Sequence, residues 1–184
     1  MQRELVELAR TGDQEAFSAL AGSVVDRLYA TAMLILRDHN QAEDATQEAI
    51  VRAWRYLPSL RDPDRFDAWL RRLLVHACRD EGRRQGRRSV EVTLLSSHQP
   101  LVDDASGPVV DRDSLERAFR RLSAEHRTAV VLHYYQGLPQ PDVADATGVP
   151  LGTVKSRLHH AIRALRAALE ADARGAGLTG GGVA

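Results

Sequence analysis

Cysteine is almost absent from this sequence, which has a single one, Cys78, among 184 residues. One cysteine cannot form an intrachain disulfide, and a chain without disulfides suits a reducing compartment. No HExxH sequence or comparable cluster of metal ligands occurs either. We therefore expect no metal ion, no cofactor and no catalytic residue.

Long apolar segments are also missing. The first ten residues lack the apolar core of a signal peptide. The longest apolar run, Ala30 to Leu36, is interrupted by Thr31 and is far too short to span a bilayer. We expect no membrane insertion and a cytoplasmic location.

Aromatic residues and net charge are scarce as well. Aromatics make up 5% of the chain, and 25 basic residues balance 25 acidic ones. Ala, Leu and Arg dominate instead, which favours helices, and 43% hydrophobic residues are enough for packed cores. The charges are unevenly distributed, because the stretch from Arg71 to Arg88 holds seven arginines and only two acids, Asp80 and Glu81. Such a cluster attracts the backbone of DNA.

The segment 89–111 divides the chain. It contains two prolines, several serines and four acids but no Lys or Arg, and no helical period continues through it. This composition predicts a flexible linker. We expect an all-α protein of two small helical domains, residues 1–88 and 112–170, followed by a flexible Gly-rich tail, residues 171–184.

Three helices are predicted before the linker. Asp13 is a start signal for the first, and Asn40 with Glu43 predicts a reciprocal cap that opens a second helix ending before Pro58. The third carries an amphipathic stripe that begins at Phe66.

After the linker, the segment from Pro141 to Arg166 has the form of a helix-turn-helix. A short helix to Thr147 is followed by Gly148, which can adopt the left-handed conformation, and then by a longer helix. From Thr153 to Arg166 this second helix has four basic residues and no acid, which suits a helix that lies in the major groove. The candidate DNA-binding residues are Thr153, Lys155, Ser156, Arg157, His159, His160 and Arg163.

Three motifs carry a resemblance to a known family. They are Gly-Val-Pro-Leu-Gly-Thr-Val-Lys-Ser-Arg-Leu at 148–158, Ala-Glu-Asp-Ala-Thr-Gln-Glu-Ala at 42–49 and Phe-Asp-Ala-Trp-Leu-Arg-Arg-Leu-Leu-Val at 66–75. In this order, over about residues 10–170, the chain resembles RNA polymerase sigma factors with extracytoplasmic function. The resemblance implies a factor that directs promoter-specific transcription initiation and is not an enzyme.

The resemblance also implies which residues bind. The helix after Asn40 would dock on the coiled coil of the largest subunit of core RNA polymerase, through Asp44, Gln47, Glu48, Val51 and Arg52. The loop and helix that follow would hold the melted −10 element of promoter DNA, through Arg61, Asp62, Arg65, Arg72, His76, Arg79, Asp80, Arg83 and Arg84. The helix from Thr153 would hold the −35 element, and an anti-sigma factor would lie between the two domains.

Two other functions stay open. A helix-turn-helix regulator could bind DNA without joining polymerase. A helical metalloenzyme could use His76 and Asp80, which lie four residues apart. The sequence also departs from the family at Pro139-Gln140-Pro141, which can shift the start of the first helix of the helix-turn-helix by a residue. It departs again at His159-His160, so the promoter sequence is not transferred from the family.

Overall fold

The structure is a computed structural model that describes residues 2–93 and 110–179. These residues form helices and connecting turns, with no strand among them. The α-helices are α1 (Gln2–Arg10), α2 (Gln14–Leu36), α3 (His39–Tyr56), α4 (Phe66–Thr93), α5 (Val110–Arg120), α6 (Ala124–Val130), α7 (Gln140–Thr147) and α8 (Leu151–Thr179). Short 3-10 turns lie at Leu57–Ser59 and Pro63–Arg65, and a π-helical turn continues α6 over Val131–Tyr135. The predicted all-α class with two helical regions is confirmed.

Side-chain caps begin several of the helices. Asp13 accepts a hydrogen bond from the backbone N–H of Ala16 at the start of α2, as the sequence predicts. The predicted cap at Asn40 is wrong, because Asp38 accepts from the N–H of Gln41 and α3 begins at His39. The physical reason is the preceding turn. Arg37 adopts a left-handed conformation with φ 62°, which ends α2 and leaves Asp38 extended at the cap position.

Helices α1 to α4 form the first region, with α2 at its centre. Leu20 and Ile35 of α2 are completely buried, together with Leu70 and Leu74 of α4. By length and composition α2 could cross a membrane, but it packs against α1, α3 and α4. Its apolar stripe is therefore accounted for as the core of a helical bundle.

Helices α5 to α8 form the second region, which contains the predicted helix-turn-helix. Gly148 has φ 68° and its N–H bonds to the carbonyl of Ala144, so the left-handed turn between α7 and α8 is present. Val143 of α7 and Val154 of α8 are buried side by side in one cluster beneath this turn.

The two regions pack directly against each other. Val75 of α4 belongs to the same buried cluster as Leu132 and Val143 of the second region. The π-helical turn contributes Val131 to the core of the first region. Hydrophobic burial is thus continuous between the two halves of the chain.

Polar contacts cross the same boundary. Arg127 Nε donates to the carbonyl of Ile35 at 2.7 Å, and Gln136 Nε2 donates to Thr31 Oγ1 at 2.8 Å. Arg37 and Glu116 form an ion pair. The sequence did not predict how the two domains are placed relative to each other. These contacts define one placement.

Three helices extend beyond the predicted domain boundaries, and α5 does so by two residues because it begins at Val110. α4 continues past residue 88 to Thr93, because Ser-Val-Glu-Val-Thr contains no glycine or proline to stop it. α8 continues through the predicted tail as far as Thr179. Residues 94–109, which hold most of the predicted linker, and residues 180–184 lie outside the described residues. The predicted flexibility and domain limits there stay predictions.

Candidate nucleic-acid interface

The second helix of the helix-turn-helix, α8, presents a basic face to solvent. Its opposite side is buried through Val154, Leu158 and Ala161. This amphipathic arrangement turns most of the predicted polar residues outward. The exposed ones are Lys155, Ser156, His159, His160 and Arg163, while Thr153 and Arg157 are partly buried.

A neighbouring helix supports this face. Glu125 lies in the first turn of α6, and its charge acts on Arg157 of α8. The pKa of Glu125 is lowered by a hydrogen bond from its own backbone N–H, and Ser123 and Arg157 add to the shift. The imidazole of His126 lies with its ring centroid 6.3 Å from that of His160. Sequence reasoning missed Glu125 because the contact joins helices about thirty residues apart.

The loop before α4 contributes the first predicted −10 residues. Asp62 accepts a hydrogen bond from the N–H of Asp64 at 3.0 Å and so caps the 3-10 turn that leads into α4. Arg61, Arg65 and Arg72 are exposed. The structure brings these four side chains to one cleft of about 580 Å³.

The same cleft is lined by the second region. Asp142 and Asp145 of α7 line it together with Arg61, Arg65 and Arg72. These two acids were not among the predicted site residues. Nothing in the local sequence of α7 indicates that it packs on α4, since about seventy residues separate the two helices.

Further along α4 the predicted basic residues remain accessible. Arg79, Arg83 and Arg84 are exposed. Arg84 Nη1 lies 3.2 Å from Glu81 Oε2, and Glu81 is buried with 6% of its surface exposed. Glu81 therefore anchors the guanidinium of Arg84 from within the fold, a role that the sequence analysis did not assign.

His76 and Asp80 of α4 have different surroundings. His76 is partly buried and its ring faces Gly148 of the second region. Burial lowers the pKa of His76, and the nearby Arg79 and Arg72 lower it further. Asp80 turns instead to α3, where Arg52 Nη2 lies 3.0 Å from its Oδ2.

The metalloprotein alternative depends on ligands that converge. Within the parts of the chain that the structure describes, no group of three or more His, Cys, Asp or Glu side chains is placed to hold a metal ion. Because Asp80 pairs with Arg52, it does not join His76 in a common site.

The predicted polymerase-binding face lies on α3. Asp44, Gln47 and Val51 are exposed, and Val51 is 44% accessible. Arg52 Nε donates to Glu48 Oε1 at 2.7 Å while its Nη2 reaches Asp80. The Arg52 guanidinium therefore connects Glu48, which like Arg52 is a predicted polymerase-binding residue, to Asp80, which is a predicted −10 residue.

Comparisons with known proteins agree with this organisation. The family model for sigma-70 region 2 matches residues 20–88, and the model for sigma-70 region 4 matches residues 112–165. The chain is 35% identical over 167 residues to the ECF RNA polymerase sigma factor SigL of Mycobacterium tuberculosis, covering 87% of this chain and 94% of that protein. It is 25% identical over 178 residues to the ECF RNA polymerase sigma factor SigW of Bacillus subtilis, covering 90% and 95% of the two chains.

Solved structures give the same result. The sigma factor RpoE of Bartonella quintana, solved in complex with the anti-sigma factor NepR, matches with a TM-score of 0.65 and 27% identity over 84% of this chain and 96% of that chain. CnrH, solved in complex with the cytosolic domain of CnrY, matches with a TM-score of 0.63 and 28% identity, covering 93% and 98%. Matched along both regions, and with a helix-turn-helix in the second, the chain belongs to the sigma-70 family and is an RNA polymerase sigma factor of the extracytoplasmic-function group.

Proposed function

We propose that this sigma factor directs promoter-specific initiation through three surfaces: the α3 face for core polymerase, the loop and α4 for the −10 element, and α8 for the −35 element. The observation that carries the proposal is the exposed basic face of α8 between Thr153 and Arg166, a stretch that contains no acid. A binding factor of this kind carries out no covalent chemistry, so we infer that it is not an enzyme and that it acts in the cytoplasm beside polymerase.

For the −35 element, the proposal assigns two kinds of contact to α8. Lys155 and Arg163 neutralise phosphates, which gives affinity and a dependence on salt. Ser156, Arg157 and the two histidines reach base edges in the major groove, which gives sequence preference. Glu125 of α6 supports this division because its carboxylate and the Arg157 guanidinium attract each other.

For the −10 element, the supporting observation is the set of arginines around the α4 cleft and along the exposed side of α4. Cations in this arrangement follow the backbone of a single strand. Holding one base out of the stack costs a few kcal/mol, and backbone neutralisation offsets this cost.

For core polymerase, the exposed acids and Val51 of α3 present an acidic surface with an apolar centre. Such a surface is complementary to a basic helix of the partner. This contact separates the proposal from a regulator that acts without polymerase, because such a regulator would bind promoter DNA but would not bind core enzyme.

The test is run-off transcription with core polymerase on a promoter library. We expect start sites that depend on this protein, and their absence would contradict the proposal. On a promoter found in this way, Lys155→Ala and Arg157→Ala, alone and together, should reduce transcription while binding to core polymerase is retained. Arg121→Ala, which removes an exposed arginine between α5 and α6, is the control for the single variants.

We propose an anti-sigma factor as a further partner. Two similar solved chains support this, since one is described with an anti-sigma factor and the other with a cytosolic domain. An apolar groove of about 430 Å³ runs between Leu34 of α2 and the exposed Leu115 and Tyr134 of the second region. An anti-sigma helix in this groove should slow hydrogen exchange in α5 and around Tyr134, and unchanged exchange at both would exclude that position.

A further inference from the structure

A cavity of about 530 Å³ lies where α2 and α4 meet the π-helical turn after α6. Its volume is within the range of pockets that hold small molecules. Side chains of α2 and α4 line it together with Tyr135 and Gln136 of the second region. None of the residues assigned above to polymerase, to the −10 element or to the −35 element lines this cavity. Its side chains are therefore not explained by the proposed function.

Arg71 of α4 is a lining side chain whose bonding is incomplete. It is partly buried, yet its guanidinium forms no hydrogen bond or ion pair with any residue that the structure describes. Burial lowers the pKa of Arg71, Asp67 raises it, and the like charge of Arg27 lowers it again. A guanidinium carries five N–H donors, and donors removed from water without an acceptor raise the free energy of the folded chain. The donors of Arg71 therefore remain available to an acceptor from outside the chain.

The charges of the cavity favour an anion. Asp67 is the one acid among the described residues that line it, and its Oδ1 already lies 2.6 Å from Arg27 Nη2. The same oxygen accepts a hydrogen bond from Gln2 Nε2 at 3.3 Å. Two guanidinium groups and one carboxylate leave the lining with one uncompensated positive charge. Phosphate oxygens suit such a site, because they match the planar fork of a guanidinium.

Much of the remaining lining is apolar or aromatic. Leu28, Leu70 and Leu74 reach the cavity from the core of the first region. Tyr135 is 66% exposed, so its ring is open to a flat group that stacks on it. The amide of Gln136 bonds to α2 through Nε2 and leaves its Oε1 buried without a donor. The lining thus suits a ligand with an anionic group and a planar ring.

We propose that this cavity binds a nucleotide, with its phosphate on Arg71 and Arg27 and its base against the ring of Tyr135. The site does not depend on the proposed promoter contacts, since different residues form those surfaces. Because both regions line the cavity, a bound nucleotide contacts both. It therefore stabilises the folded chain to a degree that increases with its concentration.

The first experiment is isothermal titration calorimetry of the full chain with AMP, adenosine and inorganic phosphate. AMP should bind in a 1:1 ratio, and adenosine and phosphate should each bind at least about tenfold more weakly, because each lacks one of the two contacts. Absence of AMP binding up to about 10 mM would overturn the proposal. Equal affinity for AMP and phosphate would overturn it as well, because the base would then contribute nothing.

The second experiment locates the bound AMP on α4. Arg71→Gln should weaken AMP binding about tenfold, as expected for the loss of a charge-assisted pair with phosphate. The matched control is Arg72→Gln, which removes the same charge from the next residue, an exposed one that does not line the cavity. Its AMP affinity should equal that of the unchanged chain. A larger loss in Arg72→Gln would place AMP in the −10 cleft and contradict the proposal, whereas the proposed −10 function would be unaffected.

Thermal unfolding separates binding by Arg71 from a structural role. Because Arg71 has no bonded partner in the described chain, Arg71→Gln should not lower the Tm measured without AMP. It should, however, remove the increase in Tm that AMP gives the unchanged chain. A lower Tm of Arg71→Gln without AMP, together with an unchanged increase on adding AMP, would contradict the proposal.

The base contact is tested at the two adjacent tyrosines. Tyr135→Ser should weaken AMP binding about fivefold, because the stacking surface is lost. Tyr134→Ser is the matched control, since Tyr134 is 60% exposed but does not line the cavity. Equal AMP affinities of the two tyrosine variants would overturn the assignment of the base to Tyr135.

Discussion

The guanidinium of Arg52 lies 3.0 Å from the carboxylate of Asp80 and connects α3 to α4. Its Nε also bonds to Glu48, so one side chain holds two acids on two helices. The side chain of Arg52 is 23% exposed, so water screens the three charges only in part. Arg52 in this way connects the α3 surface that we propose for polymerase binding to the α4 surface that we propose for DNA binding.

This connection predicts a measurable coupling energy. In a double-mutant cycle of Arg52→Ala and Asp80→Ala, urea unfolding should give a coupling of about 0.5–1 kcal/mol, the upper part of the range for accessible ion pairs. The control pair is Arg3 and Asp64, whose side chains are 61% and 62% exposed. Its coupling should be close to zero, and equal values for both pairs would contradict the prediction.

The buried cluster that joins the regions predicts a large effect at Leu132. This side chain is completely buried beside Val75 and Val143. Leu132→Ala should lower the free energy of unfolding by about 2–5 kcal/mol, because it leaves a cavity. Leu115→Ala, at a position that is 47% exposed, should cost less than about 0.5 kcal/mol. A small loss at Leu132 would mean that the cluster is loosely packed.

His76 predicts a dependence of stability on pH. Its pKa is lowered in the folded chain, mainly by burial and then by Arg79 and Arg72. The unfolded chain therefore binds a proton first as the pH falls, so stability is unaffected above about pH 6.5 and is lost as the pH decreases below that value. Thermal unfolding between pH 7.5 and 5.5 should show a smaller decrease in Tm for His76→Gln than for the unchanged chain. His39→Gln, at an exposed position, should keep the full decrease.

The buried position of Cys78 predicts that its thiol is unreactive. It is 2% exposed, and burial raises its pKa to about 12. Since the thiolate is the reactive form, iodoacetamide should modify the folded protein at least about 100-fold more slowly than the urea-unfolded protein. Ser18→Cys in a Cys78→Ala chain is the control and should react rapidly in both states. Fast modification of folded Cys78 would show that the core of α4 opens frequently.

Local signals in the sequence determined much of the fold. Asp13 caps α2 where it was expected, because a cap depends on a side chain and the next few backbone amides. Gly148 adopts the left-handed turn for the same local reason. The one cap that was wrong, at Asn40, depended on where α2 ended, which Arg37 sets through its backbone conformation.

The basic residues of α8 could likewise be found from sequence, since helical periodicity separates Val154 and Leu158 from Lys155 and His159. Only the tertiary structure decided which helix surfaces lie against each other, both within the first region and between the two regions. Arg52 bonds to Asp80, and Asp142 lines the same cleft as Arg72 of α4, through helix packing between residues that are distant in the chain. Such contacts depend on the shapes and charges of whole helix surfaces, and a local pattern of residues does not predict them.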